Sequence, residues 1–290
     1  SPNGNPAGAE LDREYFQTFD QGGFTTGDGP VSNWNTSGSQ YVAWCWKAGN
    51  ETTINNEGTI QTTTSVNSDA GFSIFTFSTG PSSAPAPYVT EFVGHGLSQT
   101  PEMIWYKRRD ASQHWTLWTS VFGTPNTSYN YLNLTTAWLT DTTQWGNTPP
   151  TATKAPLTVG YALSGDADYV AYAWHSVEGY SKFGTYAGNG NDDGAFIYLG
   201  FKPAFFMMKS QSAGGHWLMY DNKRNTYNPV QGTIAAQVDT AENTGTENAV
   251  DFLSNGVKCR DNTNNNINYT GTTYMYMAFA EMPFKYATAS

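Results

Sequence analysis

Charge, histidine and cysteine are all scarce in this sequence, and each scarcity excludes something. Only 13% of the 290 residues are charged, and 24 acidic residues against 14 basic ones give a net charge of −10. A nucleic-acid binder needs a basic face to neutralise phosphates, so that class is set aside. The four histidines, His95, His114, His175 and His216, have no metal-ligand spacing. The two cysteines, Cys45 and Cys259, lie far apart and match no zinc pattern. They read as two buried thiols, or as a bridge tying the two ends of the chain together. No apolar run is long enough to cross a bilayer as a helix, so no membrane insertion is expected. Nor is there a signal peptide or a capped stripe of helical period. The opening Ser1-Pro-Asn-Gly-Asn-Pro6, without Met, leads to the expectation of a processed product or the ordered part of a longer protein.

What is abundant points one way. Aromatic residues make up 15% of the chain and Gly supplies 29 positions, with many Thr and Asn beside them. Aromatic and β-branched side chains suit a pleated, half-buried surface, and Gly and Asn suit tight turns. The expected class is all-β.

The chain also repeats itself. Pro101–Trp118 returns as Pro203–Tyr220 without a gap, so that Lys107 falls on Lys209, Ala111 on Ala213 and His114-Trp115 on His216-Trp217. Each copy reads as an apolar strand, a polar turn and an aromatic strand, a β-hairpin. Gly71-Phe-Ser-Ile-Phe75 matches Gly179-Tyr-Ser-Lys-Phe183. Phe19, Gly23, Asn35, Gly38 and Tyr41 match Phe252, Gly256, Asn268, Gly271 and Tyr274, and Tyr169–Trp174 is a looser third copy of the closing run. Such self-similarity implies a duplicated unit. The expectation is two tandem related β-sandwich, jelly-roll-like units with an N-terminal half-unit. The boundaries are an extended arm over 1–14, a half-unit and linker with one edge strand over 15–70, and units over 71–176 and 177–290. Residues 15–46 read either as the tail of a further unit or as a piece recruited to complete the others.

Candidate sites lie where the two copies differ. Loops 81–90, 124–130, 189–194 and 221–229 vary on a shared scaffold, which is where recognition is sought. The candidate ligand contacts in these loops and in other polar, Asn/Thr-rich segments are Tyr129, Trp138, Trp145, Asn189, Asn191, Asp192, Asp193, Asp221, Lys223, Arg224 and Tyr227. Exposed rings, with Trp34 among them, could stack on sugar faces while Asn and Asp bind hydroxyls; the alternative is that they plug the ends of the sandwich. Lys107, Arg108 and Arg109 form a basic turn that could meet a carboxylate or phosphate, or be simply solvated. Asn189–Gly194 has oxygen ligands like a calcium loop but lacks the closing glutamate, so calcium is a weak possibility and no other cofactor or metal is expected. The His-Trp pairs read as scaffold. No motif pairs two carboxylates as glycoside hydrolysis requires, and no catalytic residue is assigned.

Further runs carry a resemblance. They are Tyr41-Val-Ala-Trp-Cys-Trp46, Gly94-His-Gly-Leu97, Glu178–Tyr186, Asp221-Asn-Lys-Arg224 and the ending Met277–Ala287. In these the sequence resembles an uncharacterised domain family found in tail-fibre and virion-surface proteins of bacteriophages of marine and freshwater bacteria, cyanobacteria included. The resemblance covers nearly the whole chain from about residue 15 and carries no catalytic residues. It implies a non-enzymatic virion-surface protein, extracellular and homotrimeric, that meets other virion proteins and a host cell-surface glycan or lipopolysaccharide. Alternatives are a secreted lectin-like module, a glycan depolymerase or a purely structural decoration.

Overall fold

The structure, a computed structural model, describes residues 16–20, 23–27, 36–82, 87–123, 126–212, 214–261 and 266–281. Among these the chain is all-β, without a helix. The strands are β1 (Phe16–Asp20), β2 (Gly23–Thr26), β3 (Thr53–Asn55), β4 (Thr62–Asn67), β5 (Phe72–Ser78), β6 (Thr90–Gly94), β7 (Met103–Arg108), β8 (Thr116–Thr119), β9 (Ser128–Tyr131) and β10 (Leu139–Thr140). They continue as β11 (Lys154–Thr158), β12 (Asp168–Trp174), β13 (Ser181–Ala187), β14 (Phe196–Tyr198), β15 (Pro203–Ser210), β16 (Leu218–Asp221), β17 (Ile234–Ala235), β18 (Val250–Leu253), β19 (Gly256–Cys259) and β20 (Thr273–Ala280).

Two large sheets carry the fold. One has eight strands in the order β10-β9-β8-β7-β12-β5-β4-β3, the other five in the order β13-β20-β15-β16-β17. The run β5-β12-β7-β8-β9 of the first therefore has the same connectivity as the whole of the second. Each also has a small companion sheet, β11-β6 for the first and β14-β19-β18 for the second. Where a linker and one edge strand are expected over 47–70, β3 and β4 extend the eight-stranded sheet as two strands.

Alternation along the strands builds three cores. In β12, Tyr169, Ala171 and Ala173 face the small sheet and pack with Val93, Ala155 and Leu157. Its Trp174 and Tyr172 face the other way. In β20, Tyr274, Tyr276 and Ala278 turn to the companion sheet, while Met275, Met277 and Phe279 turn to the opposite side. Both large sheets are thus covered on two faces. Each meets its small sheet across a sandwich core, and the two meet each other across a third, shared seam of Phe72, Met103, Leu117, Phe205, Met207 and Trp217.

The hairpin repeat holds in register. Met103 pairs with Thr119 and Tyr106 with Thr116; Phe205 pairs with Asp221 and Met208 with Leu218, the same offsets 102 residues on. Both His-Trp pairs close their hairpin with a side-chain amide. The Asn133 amide donates to Nδ1 of His114 at 2.8 Å while its oxygen accepts the Trp115 N–H at 3.0 Å. Gln237 does the same for His216 and for the Trp217 N–H, the latter at 2.8 Å. Nδ1 is an acceptor in both, so these imidazoles are held as structural elements.

One sequence match slips. Phe75 lies in the first sandwich core, whereas Phe183, its sequence counterpart, lies in the seam. Relative to the central strands, Phe72 stands opposite Trp174 and Ser181 opposite Phe279, so β5 and β13 are offset by one residue from their sequence alignment. A one-residue slip moves every side chain to the other face. The cysteines do not bridge: Cys45 is exposed and Cys259 is buried, both as free thiols. This corrects both readings of the pair.

Candidate functional site

The loop after β16 is held from its first residue. Asp221 is buried, and one of its oxygens accepts the backbone N–H groups of Lys223 at 3.0 Å and Arg224 at 2.9 Å. The other accepts Arg224 Nε at 2.7 Å and the Trp44 indole N–H at 3.2 Å. Arg224 goes on to Glu242 at 2.7 Å and to the Met219 carbonyl at 3.2 Å. Burial works against the charge on Asp221, but the N–H groups of Arg224 outweigh it and hold the carboxyl below its usual range. All these groups are occupied within the protein, so the ligand contacts expected of Asp221 and Arg224 are corrected to a loop-closing ion pair.

Past this pair the loop is pinned twice more. Asn225 accepts the Gly232 N–H at 2.6 Å, and the Asn228 side chain exchanges two bonds with the Phe252 backbone, at 3.0 and 2.9 Å. A Cβ at Gly232 would meet the Glu242 carboxylate and lie 2.5 Å from that Asn225 oxygen, so any larger residue displaces one of these side chains. The pinned loop walls a cavity of about 390 Å³, with buried Val230 and Phe252 in its lining. Lys202, Lys223, Asn222 and Tyr227 bring polar and aromatic groups to it. The Tyr227 ring is 86% exposed. The Asn222 side-chain oxygen is buried and accepts no hydrogen bond. Glu281 is the single carboxylate in the lining, and Lys202 holds it at 2.7 Å. The cavity therefore offers a stacking face, amides and ammonium groups, with neither histidine nor a second carboxylate beside them.

Of the expected contacts, only Lys223 and Tyr227 line this cavity. The 189–194 loop is knotted around the fully buried Asn268. That residue accepts the Asn189 N–H at 3.0 Å and donates to the Asn189 side chain and the Asn191 carbonyl, both at 3.0 Å. Asp193 is paired with Lys258 at 2.6 Å, which holds its carboxyl below the usual range, and Asp192 is exposed. Among the described residues no three His, Cys, Asp or Glu side chains gather to hold a metal ion. Trp145 is 0% exposed and donates to the Ser128 carbonyl at 3.0 Å, so it is core and not a contact. Tyr129 packs on that core, edge-on to Tyr131. Trp138 is half-buried between Phe122 and Trp217 in the seam. In the basic turn, Lys107 donates to the Gln113 carbonyl at 2.7 Å and Arg108 pairs with Asp110 at 2.7 Å; Arg109 uses its backbone N–H on Asp168. Trp34, residues 83–86 and residues 124–125 of the variable loops lie outside the described residues. Sequence reasoning missed Asn222, though it sits inside the charged Asp221–Arg224 cluster. It also missed Lys202, which nothing local marks.

A model of the family described as a domain of unknown function, DUF7483, matches residues 3–283. The chain belongs to this family. The DUF7483 match runs through both large sheets and the loop cavity, so all described elements of the site fall within it. Neither the curated proteins nor the solved structures yield a match.

Proposed function

We propose that the chain is a non-catalytic binding module of a bacteriophage virion surface, of tail-fibre type, and that it takes a host cell-surface glycan or lipopolysaccharide in the Lys223–Tyr227 cavity. Two tandem copies of one sandwich unit serve as the scaffold, and the unlike loops at equivalent ends do the recognising. The observation that carries this reading is the exposed Tyr227 ring in the wall of the cavity, on a loop fastened at three points. An aromatic ring held open to solvent costs apolar exposure, which a stacked sugar face relieves. Lys202 is neutralised by Glu281, so Lys223 supplies the local positive charge on an acidic molecule, which suits phosphate or carboxylate substituents. The unit is extracellular, acts with other virion proteins and assembles as a homotrimer, as fibre proteins of this kind do.

Binding of the purified chain to host lipopolysaccharide and capsular glycans tests it. Tyr227→Ala is expected to weaken binding by about tenfold or more while leaving the melting temperature in place, since an exposed ring contributes little to folding. Undiminished binding by Tyr227→Ala and Lys223→Ala together would show that the cavity is not the receptor site.

A further inference from the structure

The N-terminal elements reproduce the closing half of the second sandwich in detail, and they do so without the strands that half needs. In β1-β2, Phe19 pairs with Phe24 and Asp20 with Gly23; in β18-β19, Phe252 pairs with Val257 and Leu253 with Gly256, the same register at the matched positions. The turn that follows is copied too. The Thr36 N–H donates to the Tyr41 hydroxyl at 3.1 Å, as the Tyr269 N–H donates to the Tyr274 hydroxyl at 3.0 Å. Ser39 N–H donates to Thr36 O and Thr272 N–H to Tyr269 O, each at 3.1 Å. Gly38 and Gly271 take positive φ, 82° and 76°. Residues 41–47 then stand where β20 stands.

The environments differ. β20 is a central strand, bonded to β13 on one edge and β15 on the other. Among the described residues, no backbone–backbone hydrogen bond joins residues 42–47 to any strand; at the segment's end the Asn67 side chain of β4 donates to the Lys47 carbonyl at 3.0 Å. Yet the segment is extended and alternates, with Trp44 and Trp46 packed on the shared seam and Tyr41, Ala43 and Cys45 outward and exposed. Trp46 lies 5.5 Å from Phe205 and 5.4 Å from Phe279, ring to ring. The seam-facing side of this strand is therefore seated as in β20, while on its other side Tyr41, Ala43 and Cys45 are exposed among the described residues. Phe19 is 88% exposed and Tyr41 55%; their counterparts Phe252 and Tyr274 are 6% and 0%. Beside the segment a cavity of about 530 Å³ opens against the eight-stranded sheet, walled by Phe19, Trp44, Trp46, Trp105, Tyr172 and Trp174. The indole N–H groups of Trp105 and Trp174 on that wall are buried and donate to no acceptor.

We propose that β1, β2 and residues 36–48 are half of a third sandwich, and that the bare strand 41–47 is a docking site for a polypeptide carrying the first half of the same repeat. That partner is defined by the register on the other two central strands. One edge takes a strand of Gly-aromatic-Ser type antiparallel to 41–47, as β13 lies on β20; the other takes a Pro…Lys…His-Trp hairpin, as β15-β16 does. Within the described residues every strand of these two types is already bonded into its own sheet, so the complement comes from outside them. Two added strands satisfy the backbone edges of residues 42–46, cover Tyr41 and fill the cavity, which is strand addition with the side-chain pockets already cut.

Two synthetic peptides serve as probes for the intact chain, one with the sequence of residues 179–187 and one with that of 203–221. Hydrogen exchange at the amides of 42–47 and maleimide labelling of Cys45 are the readouts; Cys45 is the accessible thiol, since burial pushes Cys259 up to about 12. Saturable slowing of both by about tenfold or more with either peptide, and none with its scrambled sequence, is expected. Ala43→Arg, at an exposed position that folding does not need, should abolish the slowing. Overturning results are unchanged exchange with both peptides, undiminished slowing in Ala43→Arg, or protection of 42–47 that rises with chain concentration alone, which would make a second copy the occupant.

Discussion

Lys209 is the residue whose burial has the clearest consequence. It is 0% exposed in the seam, and its ammonium donates to the Gly215 carbonyl within its own hairpin and to Thr135 O at 3.1 Å across the seam. The Trp217 ring lies 5.7 Å away. Lys107 makes the equivalent bond to Gln113 in the other hairpin but stays half-buried. Burial lowers the Lys209 pKa to about 8, against 10.5 for a free lysine. Between these values the unfolded chain holds more protons than the folded one, so the penalty for burying the charge is fully present below pH 8 and is relieved as pH rises towards 10.5. Lys209→Met removes this dependence. Comparing urea unfolding at pH 7.5 and pH 10, wild type should gain about 1–3 kcal/mol relative to Lys209→Met. Equal pH responses of the two proteins would mean that the ammonium is not desolvated.

At the scale of the element, the amide clamp on each hairpin is the feature to break. Asn133→Ala leaves the Trp115 N–H without its acceptor and His114 without its donor. Gln237→Ala does the same to Trp217 and His216. Gln237→Ala should cost about 1–3 kcal/mol in denaturant unfolding, because the lost partner belongs to the buried Trp217; Asn133→Ala, whose partners Trp115 and His114 are half-buried and exposed, should cost less. His114→Ala, which leaves the backbone bond in place, should cost less than Asn133→Ala; the reverse order would place the stabilisation in the imidazole instead. These hairpins were legible in the sequence because both copies keep one register, with no insertion to shift the comparison. β5 and β13 were misread for the opposite reason: the motif match and the ladder differ by one residue, and nothing in Gly-x-Ser-x-Phe says which face Phe takes. The site was legible only in part. Charge at Asp221 and Arg224 marked the right loop, but charge does not tell a buried, spent ion pair from an exposed one. Asn222 and Lys202 are brought to the cavity by the fold alone.

Across the whole molecule, the seam decides how the two halves behave. Repeated sequence alone would suggest two sandwiches joined by a linker, each with its own stability. The geometry joins them more closely. Trp217, fully buried on the second sheet, donates its indole N–H to Tyr131 of the first at 3.1 Å and stacks edge-on with Trp138. Backbone bonds cross as well, from Trp138 to Gln211 at 3.0 Å and from Gly215 to Thr135 at 2.8 Å. Opening the seam would expose Met103, Leu117, Phe205, Met207 and Met277 together, apolar surface whose loss each half would feel. Neither half should then persist once the other has unfolded. Urea unfolding followed by tryptophan fluorescence and by far-UV circular dichroism is expected to give coincident single transitions. Trp217→Ala empties a large buried volume in the seam and should lower stability by about 3–5 kcal/mol. Because the cavity lies between the sheets, that variant should still lose both halves in one step, at lower urea. Two resolved transitions in wild type would mean that the seam is a contact between independent domains; two in Trp217→Ala alone would mean that this one indole couples them.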